Sequence, residues 1–367
     1  MKKYNKDNER AKYQYLQFLR EARRQSESSL DAAAKAIVRF EEYTSFRDFK
    51  LFHIKQAIGF KKMLSVQKSE RSQLALSKST INSTLNNLRA FFLWLAREPG
   101  YRARISYSDA EYFHLSEKDT RIATAKRNKP VPTLEQIKVV LATMPSATDI
   151  ENRDRALLAF AILTGARDSA IASFKLKHVD ITHRYVFQDA REVATKFSKT
   201  FNTYFFPVGD EIEIIFRDWV GFLRNEMLWG EDDPVFPATK MALDENRLFC
   251  VGGLDRRHWS NAGPIRAIFK SAFQSTGLPY YNPHSFRNTL ALLAGQRCVT
   301  PEQYKAWSQN LGHEKPLTTF LSYGNVEDVR QGEIIAELGA PKERHDSELD
   351  MDRLATLFAE KMSQIRA

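Results

Sequence analysis

The sequence predicts a mainly helical protein of two domains with one small antiparallel β-sheet. Three observations lead to this prediction. Apolar residues recur every three or four positions over most of the chain, which is the period of a helix packed on one face. The period shortens to two only between residues 185 and 208. At 367 residues, the chain has the length of about two domains.

Composition excludes several classes of protein. The hydrophobic content of 43% is that of globular domains and not of a disordered chain. No apolar run reaches the length of a membrane span and no signal-peptide core follows Met1, so a soluble, cytoplasmic protein without a membrane partner is expected. Cys250 and Cys298 lack the spacing of a zinc site or a disulfide framework and are predicted to be buried apolar residues.

The positive charge is concentrated in the first third of the chain. Residues 1–130 carry 27 Lys and Arg against 14 Asp and Glu, a balance of +13, whereas residues 131–367 carry 28 against 31, a balance of −3. Basic side chains that neutralise phosphates release counterions, so a polyanion is the natural partner of the first third. The alternative is a basic surface that only keeps the protein in solution.

The first domain is predicted to be a helical bundle over residues 1–103. Helices are expected over about 30–43, with Ser29 as the N-cap, over about 53–65, and from an N-cap at Ser79 to the Pro-Gly stop that follows.

Residues 104–131 show little periodicity and are interpreted as a basic linker. This segment is either a strap that lies along a nucleic-acid backbone or an exposed connector without contacts. Five basic residues are the candidates for phosphate contacts, namely Lys78, Arg121, Lys126, Arg127 and Lys129.

The second domain is predicted to span residues 132–340, before a tail over 341–367 that carries an amphipathic helix. It begins with a capping box at Thr133, and an apolar helix over about 152–163 follows. Strands are predicted at 185–187 and 192–193, with a hairpin over 197–208 that turns near 200–203. A helix is expected from Gly209 to about Gly230, an irregular segment over 231–262, and another helix over 264–275.

A constellation of chemically capable side chains follows Pro283. His284 and Arg287 are three residues apart, so a helix that begins near Pro283 places them on one face, where both can bind one phosphate. His313 lies at a second helix end, and Tyr323 follows ten residues later as a candidate nucleophile.

Five short segments carry the candidate chemistry in a fixed order. They are Thr164-Gly165-Ala166-Arg167, Ser198-Lys199-Thr200 ahead of Pro207, Pro283-His284-Ser285-Phe286-Arg287, Leu311-Gly312-His313, and Tyr323. In order and approximate spacing they resemble the active-site boxes of the tyrosine recombinase (phage integrase) family. The resemblance covers roughly residues 29–337, and five ordered boxes are specific where any single one is not.

The resemblance implies a two-domain clamp around double-stranded DNA, with a helical core-binding domain and a catalytic domain. Family members attack a phosphodiester with tyrosine, which leaves a 3′-phosphotyrosyl bond and a free 5′-hydroxyl, so neither ATP nor a metal is needed. A homo-tetramer on DNA and association with the nucleoid are implied. Accessory DNA-bending or directionality factors are possible further partners. The biological task is integration, excision or resolution, and the sequence does not distinguish these three.

The resemblance also implies a role for each side chain. Tyr323 is the nucleophile, and Arg167 and Arg287 hold the non-bridging phosphate oxygens. His284 helps to move the proton of the tyrosine, and His313 donates a hydrogen bond to the phosphate.

Lys199 is implied to be the general acid that protonates the leaving 5′-oxygen. It is preferred to Lys196 because the catalytic lysine of the family precedes the proline that ends the hairpin by eight positions, and Pro207 is eight beyond Lys199.

Two features depart from the family pattern. Many relatives carry an acidic residue three positions after the first arginine, where this chain has Ala170, although Asp168 is nearby. The gap from His313 to Tyr323 is ten residues and not the commoner nine.

Three rival interpretations remain. A metal hydrolase would use His284 and His313, but no His-Glu-x-x-His motif or carboxylate cluster accompanies them, so no metal site is predicted. A type IB topoisomerase or a hairpin-forming resolvase would share the chemistry. The rival from another class is a DNA-binding regulator that kept the fold and lost strand transfer. The presence of suitable side chains at all six chemical positions argues against it.

Overall fold

The computed structural model describes residues 4–69, 73–125, 130–195, 198–243 and 248–313. The chain divides into two compact units, residues 1–127 and residues 128–367. In the described ranges, no helix is both long enough and apolar enough to cross a membrane.

The N-terminal unit is all helical. Its helices are α1 Lys6–Gln17, α2 Glu27–Tyr43, α3 Ile54–Val66, α4 Lys78–Leu95, α5 Tyr107–Ala110 and α6 Glu117–Thr124. Its core is rich in aromatic rings, because Phe40 of α2 meets Phe60, Phe92 and Phe113 edge to face at centroid distances of 5.2, 5.5 and 5.5 Å. Such edge-to-face pairs are favoured by the ring quadrupoles in addition to the area they bury.

Two predicted helix starts were wrong by two or three residues. The N-cap of α2 is Ser26 and not Ser29, and that of α4 is Ser77 and not Ser79. Each start lies in a run with several serines, and all of them suit an N-cap. Ser77 Oγ accepts from Thr80 N at 3.1 Å, which fixes the choice at α4.

The segment predicted as a linker, 104–131, is folded over most of the part that the structure describes. Two short helices, α5 and α6, pack on α4, and Ala110 and Phe113 are fully buried in the bundle core. Sequence windows missed them because each helix spans eight residues or fewer, too short for a periodic pattern. Residues 126–129 lie outside the described ranges.

The C-terminal unit is mixed. Its helices are α7 Leu134–Thr143, α8 Asp149–Thr164, α9 Asp168–Ile171, α10 Asp210–Gly221, α11 Gly263–Ser275, α12 Pro283–Arg297 and α13 Pro301–Asn310. Its strands are β1 Val179–Asp180, β2 Tyr185–Gln188, β3 Phe201–Tyr204, β4 Ala238–Leu243 and β5 Phe249–Asp255. The prediction of a mainly helical chain with a small antiparallel sheet is confirmed.

Helix α8 is the centre of this unit. Every residue from 156 to 164 is buried, so the helix is enclosed on all sides and not on one stripe. Phe160, one turn before the end of the helix, meets Phe174, Phe216 and Phe236 at centroid distances of 5.2, 4.9 and 5.3 Å. A rigid helix therefore ends at Thr164-Gly165, directly before Arg167.

The larger sheet has the order β1-β2-β3, with all pairs antiparallel. Val186 of β2 faces Thr203 of β3, so the turn predicted near 200–203 is wrong because residues 201–203 belong to a strand. Residues 192–193 are not a strand either. Val193 is buried in a turn closed by its own N–H on Asp189 O at 2.7 Å, and an apolar side chain in a turn imitates a strand signal.

A second hairpin lies where the sequence predicted irregular chain. Strands β4 and β5 pair in antiparallel fashion, with a register shift between Thr239 and Met241. That shift and the adjacent Gly252 and Gly253 break the alternation by which a strand is recognised in sequence. Cys250 on β5 and Cys298 after α12 are partly exposed thiols, so their predicted burial was wrong.

Candidate active site

The end of α8 fixes the backbone before Arg167. Gly165 caps the helix in the left-handed region, at φ 58°. A Cβ on Gly165 would lie 2.9 Å from methyl carbons of both Leu290 and Leu311, so a side chain there has no room. Arg167 follows at the N-cap of α9 and is partly buried, and this burial lowers the pKa of its guanidinium. An arginine without full hydration at a helix junction is suited to bind an anion.

Arg287 of α12 holds three parts of the chain together. Its side chain is 5% exposed and donates to the carbonyl oxygens of Gly165 and Leu311, the latter at 2.6 Å. A third contact of 3.3 Å joins its guanidinium to Nε2 of His313. Burial and the nearby Arg167 lower the pKa of Arg287 to about 9, which leaves it charged at neutral pH. The guanidinium is therefore oriented before any ligand binds.

His313 follows the end of α13 and is held close to the sheet by Gly312. Gly312 has φ 68°, and a Cβ on it would lie 2.5 Å from the Phe201 ring of β3. Two further contacts attach β3 to the end of α13. Asn310 accepts from Tyr204 N at 2.7 Å and donates to Tyr204 O at 2.8 Å. The strand that follows Lys199 is thus attached to the residues that precede His313.

Lys199 lies in the loop between β2 and β3. Its side chain is partly buried, and the loop is closed next to it by Ala190 N, which donates to Thr200 Oγ1 at 3.1 Å. Lys196, the alternative lysine, lies outside the described residues.

His284 occupies the first turn of α12. As predicted, this helix begins at Pro283, and Asn282 caps it by accepting from Ser285 N at 3.2 Å. His284 is exposed whereas Arg287, one turn later, is buried. The pair thus presents one accessible imidazole above one fixed guanidinium.

The pKa of His313 reflects the basic side chains around it. It is lowered to about 4, first by burial and then by the positive charges of Arg287, Arg167, His284 and Lys199. Four basic side chains therefore act on one imidazole. The structure brings five of the six predicted residues together, from the end of α8, the β2–β3 loop, the start of α12 and the end of α13. Tyr323, the sixth, lies outside the described residues.

The arrangement is suited to bind an anion. Concentrated positive charge that is partly removed from water attracts a phosphate more strongly than dispersed surface charge does. Within the described ranges, no group of three or more His, Cys, Asp or Glu side chains is placed to hold a metal ion.

The acidic residue beside Arg167 is bound elsewhere. Asp168 accepts from Arg266 of α11, with distances of 2.8 Å to Nε and 2.7 Å to the terminal nitrogen. Ala170 is buried and brings no polar group. Neither of these two residues therefore supplies Arg167 with the acidic partner that the family pattern places three positions after the first arginine.

The structure places two of the five candidate DNA contacts. Lys78 forms an ion pair of 3.0 Å with Asp119, and the exposed Arg121 lies 3.7 Å from Glu117. Both ion pairs are on the surface of the N-terminal unit, where such pairs contribute little stability. Lys126, Arg127 and Lys129 lie outside the described residues.

Sequence reasoning missed the residues that position the cluster. Asn310 is one, and Thr203 is another, since its hydroxyl donates to Asn310 O at 3.2 Å and accepts from Gln188 at 2.8 Å. In the sequence, Thr203 belongs to the stretch that was interpreted as a turn and Asn310 to the end of a helix, and neither position marks a support of the site.

Gly312→Ala is expected to destabilise the protein more than Gly277→Ala. Both glycines have positive φ, at 68° and 71°, but among the described residues only Gly312 has a neighbour within 4 Å of the added methyl. The left-handed backbone costs an alanine about 1 kcal/mol at either site, and the collision with Phe201 adds about 1–3 kcal/mol at Gly312 alone. Urea unfolding of the two variants measures the difference. Equal losses of unfolding free energy in the two variants would show that the Phe201 ring moves aside without an energetic cost.

Acidification is expected to cost stability through His313. The pKa of His313 is lower in the folded protein than in the unfolded chain, so between about pH 6.5 and pH 4 only the unfolded chain binds a proton at this site. The free energy of unfolding therefore decreases as pH falls from about 6.5 to about 4. After allowance for solvent screening, the loss is about 1–2 kcal/mol. Urea unfolding at pH 7.5 and pH 5 checks this, with His313→Gln as the comparison. The variant is expected to lose less stability than wild type, and parallel losses would contradict the assignment.

Comparison with known proteins agrees with this architecture. No protein-family model matches the sequence, and no curated protein matches it. Among solved structures, a lambda integrase dimer bound to a COC′ core site matches with a TM-score of 0.59 at 14% identity, over 93% of this chain and 80% of that one.

A second lambda integrase structure on the same kind of site gives a TM-score of 0.57 at 14% identity, over 87% of this chain and 97% of that one. The Tn1549 transposon integrase in complex with transposon right end DNA gives 0.54 at 14% identity, over 90% and 99%. The resemblance inferred from the five segments is thus confirmed at the level of the fold: this chain has the fold of the tyrosine recombinases.

Proposed function

We propose that this chain, which has the tyrosine-recombinase fold, is a site-specific DNA recombinase or integrase that cuts and rejoins DNA through a 3′-phosphotyrosyl intermediate. The observation that supports it most is the cluster of basic side chains formed by Arg167, Lys199, His284, Arg287 and His313. Folding gathers these five side chains from four elements, and the repulsion between the positively charged ones is relieved when an anion binds among them.

The two arginines stabilise the phosphate as the nucleophile attacks. Arg287 is held by the Gly165 and Leu311 carbonyls, so no ordering of its side chain is needed when charge develops on the phosphate. Arg167, at the N-cap of α9, supplies the second guanidinium. Together they neutralise the two non-bridging oxygens, whose charge increases in the five-coordinate transition state.

The histidines differ in exposure and therefore in task. His313 has a pKa of about 4 in the free protein and is neutral at pH 7, so it donates one N–H to a phosphate oxygen. His284 is exposed and assists the transfer of the phenolic proton away from Tyr323. A phenol has an unperturbed pKa of about 10, so the electropositive site also favours the phenolate that attacks.

Lys199 acts at the other side of the phosphorus. The bond from phosphorus to the 5′-oxygen breaks as the Tyr323 oxygen bonds to phosphorus, and the Lys199 ammonium gives a proton to the departing oxygen. The products are a phosphotyrosyl ester and a free 5′-hydroxyl. The ester keeps the energy of the broken bond, so a 5′-hydroxyl of a partner duplex reverses the step without ATP or a metal.

Double-stranded DNA is the proposed substrate, and four protomers acting on two duplexes are the proposed assembly. The balance of +13 over residues 1–130 supports an N-terminal unit that contacts the backbone. The fold neighbours above are integrases in complex with DNA, which supports the same substrate class.

Covalent trapping tests the proposal. The protein is incubated with nicked fragments of its host's DNA, and adducts that resist SDS are collected, digested and sequenced on both the peptide and the DNA side. An adduct on the Tyr323 peptide is expected, and the attached DNA gives the site. Tight, salt-sensitive binding without any adduct would favour the regulator that kept the fold and lost strand transfer.

A further inference from the structure

The loop that carries Lys199 is attached to the turn that begins at Arg167. Ser169 Oγ donates to Ala194 O at 3.2 Å, and Ala194 N donates to Ser173 Oγ at 2.9 Å. Both backbone polar groups of one loop residue are thus bound by two hydroxyls of one short segment. Ser173 Oγ in turn donates to Ala170 O at 2.9 Å, which fixes its direction.

Backbone contacts continue from Ala194 towards Lys199. Thr195 N donates to Val193 O at 2.6 Å, and Ser198 N donates to Thr195 O at 3.4 Å. On the other side of Lys199, Thr200 Oγ1 accepts from Ala190 N at 3.1 Å. Ser198, on one side of Lys199, is therefore tied to the residue that follows Ala194, and Thr200, on the other side, is tied to Ala190 in the same loop.

Other contacts of the loop are less directional. Glu192 forms ion pairs with Lys175 at 3.1 Å and Lys177 at 2.8 Å, but these side chains are about one-third exposed and such pairs contribute little. Val193 is buried and resists withdrawal of the loop, without fixing its rotation. Since Ala170 brings no polar group, the hydrogen bonds from this turn to Ala194 come from the serines on either side of it.

We propose that Ser169 and Ser173 are positioning residues for Lys199, which hold the general acid in register with the arginine that clamps the phosphate. This inference rests on the proposed recombinase function. The serines touch neither substrate nor the reacting atoms. Their loss leaves phosphate binding by Arg167 and Arg287 in place and slows only the step in which Lys199 protonates the leaving 5′-oxygen.

A sulfur substitution isolates that step. When the bridging 5′-oxygen of the scissile phosphate is replaced by sulfur, the leaving group is a thiolate, which departs without a proton because thiols have a pKa of about 8.5. The Ser169→Ala/Ser173→Ala double variant is expected to cleave the ordinary nicked duplex about 10- to 100-fold more slowly than wild type. It is expected to cleave the sulfur-bridged duplex at the wild-type rate.

Two controls sharpen the measurement. Ser275→Ala on α11 removes a hydroxyl that donates to Ala272 O within its own helix, and it is expected to match wild type on both substrates. In the Lys199→Met background, the serine substitutions are expected to cause no further loss, since residues that act through one another are not additive. Thermal unfolding of each variant verifies that it is folded.

The outcomes separate this inference from the function on which it rests. An equal defect on both substrates, no defect on the ordinary one, or a further loss in the Lys199→Met background would each overturn the positioning role while wild type still forms its adduct. If wild type forms no adduct on either duplex, the recombinase function itself fails, and the inference fails with it.

Discussion

The Tyr323→Phe variant is expected to form no covalent adduct with DNA. The phenolic oxygen is the atom that bonds to phosphorus in the proposed reaction, and phenylalanine keeps the ring while removing that oxygen. Affinity for the same DNA and its dependence on salt are expected to stay unchanged, because phosphate neutralisation by Lys and Arg supplies most of that affinity. Denaturing gels score the adduct, and filter binding scores affinity over a salt series.

A second tyrosine provides the control. Tyr280 is 45% exposed and lies shortly before α12, so Tyr280→Phe removes one hydroxyl near the site without altering the core. This variant is expected to form the adduct as wild type does. An adduct that persists in Tyr323→Phe would show that another residue is the nucleophile. The spacing of ten residues from His313 would then not identify it.

The residues of the candidate site were easier to predict from the sequence than their supports. Arg167, His284, Arg287 and His313 were recognised because guanidinium and imidazole groups are chemically distinctive and their boxes keep a fixed order. The groups that orient Arg287 are the carbonyls of Gly165 and Leu311. Every residue has a carbonyl, so no residue type marks these two.

The errors in the fold have a common physical cause. Thr203 was interpreted as part of a turn, yet it forms a strand because Val186 and Asn310 lie beside it in space. Phe113 was placed in a linker, yet it is buried because its ring packs against Phe40 of α2 and Phe92 of α4. Short elements of this kind take their conformation from partners distant in sequence, and local propensity does not record those partners.

Arg287→Lys is expected to impair both folding and cleavage, although it keeps the charge. A lysine has one terminal nitrogen and no planar fork, so it cannot satisfy the Gly165 and Leu311 carbonyls in the same geometry. Leaving one of these buried acceptors unpaired costs about 1–3 kcal/mol of unfolding free energy. Loss of one preorganised donor to the phosphate slows cleavage by a further factor of about 100 to 1,000.

Arg297→Lys on the same helix is the matched control. Arg297 also donates to a backbone carbonyl, that of Pro207, but this contact is exposed. Its substitution is expected to change the unfolding free energy by less than about 1 kcal/mol and to leave the yield of adduct unchanged. Urea unfolding and single-turnover cleavage measure the two quantities separately for both variants.

DNA with an uncharged methylphosphonate at the scissile position distinguishes phosphate binding by Arg287 from a purely structural role. When a methyl group replaces one non-bridging oxygen, the transition state carries less charge and needs less neutralisation by guanidinium groups. The Arg287→Lys defect is therefore expected to shrink on methylphosphonate DNA, relative to wild type on the same DNA. A defect of equal size on both substrates would mean that Arg287 acts only by holding α8, α12 and α13 together, and the phosphate contact would then fall to Arg167 and His313.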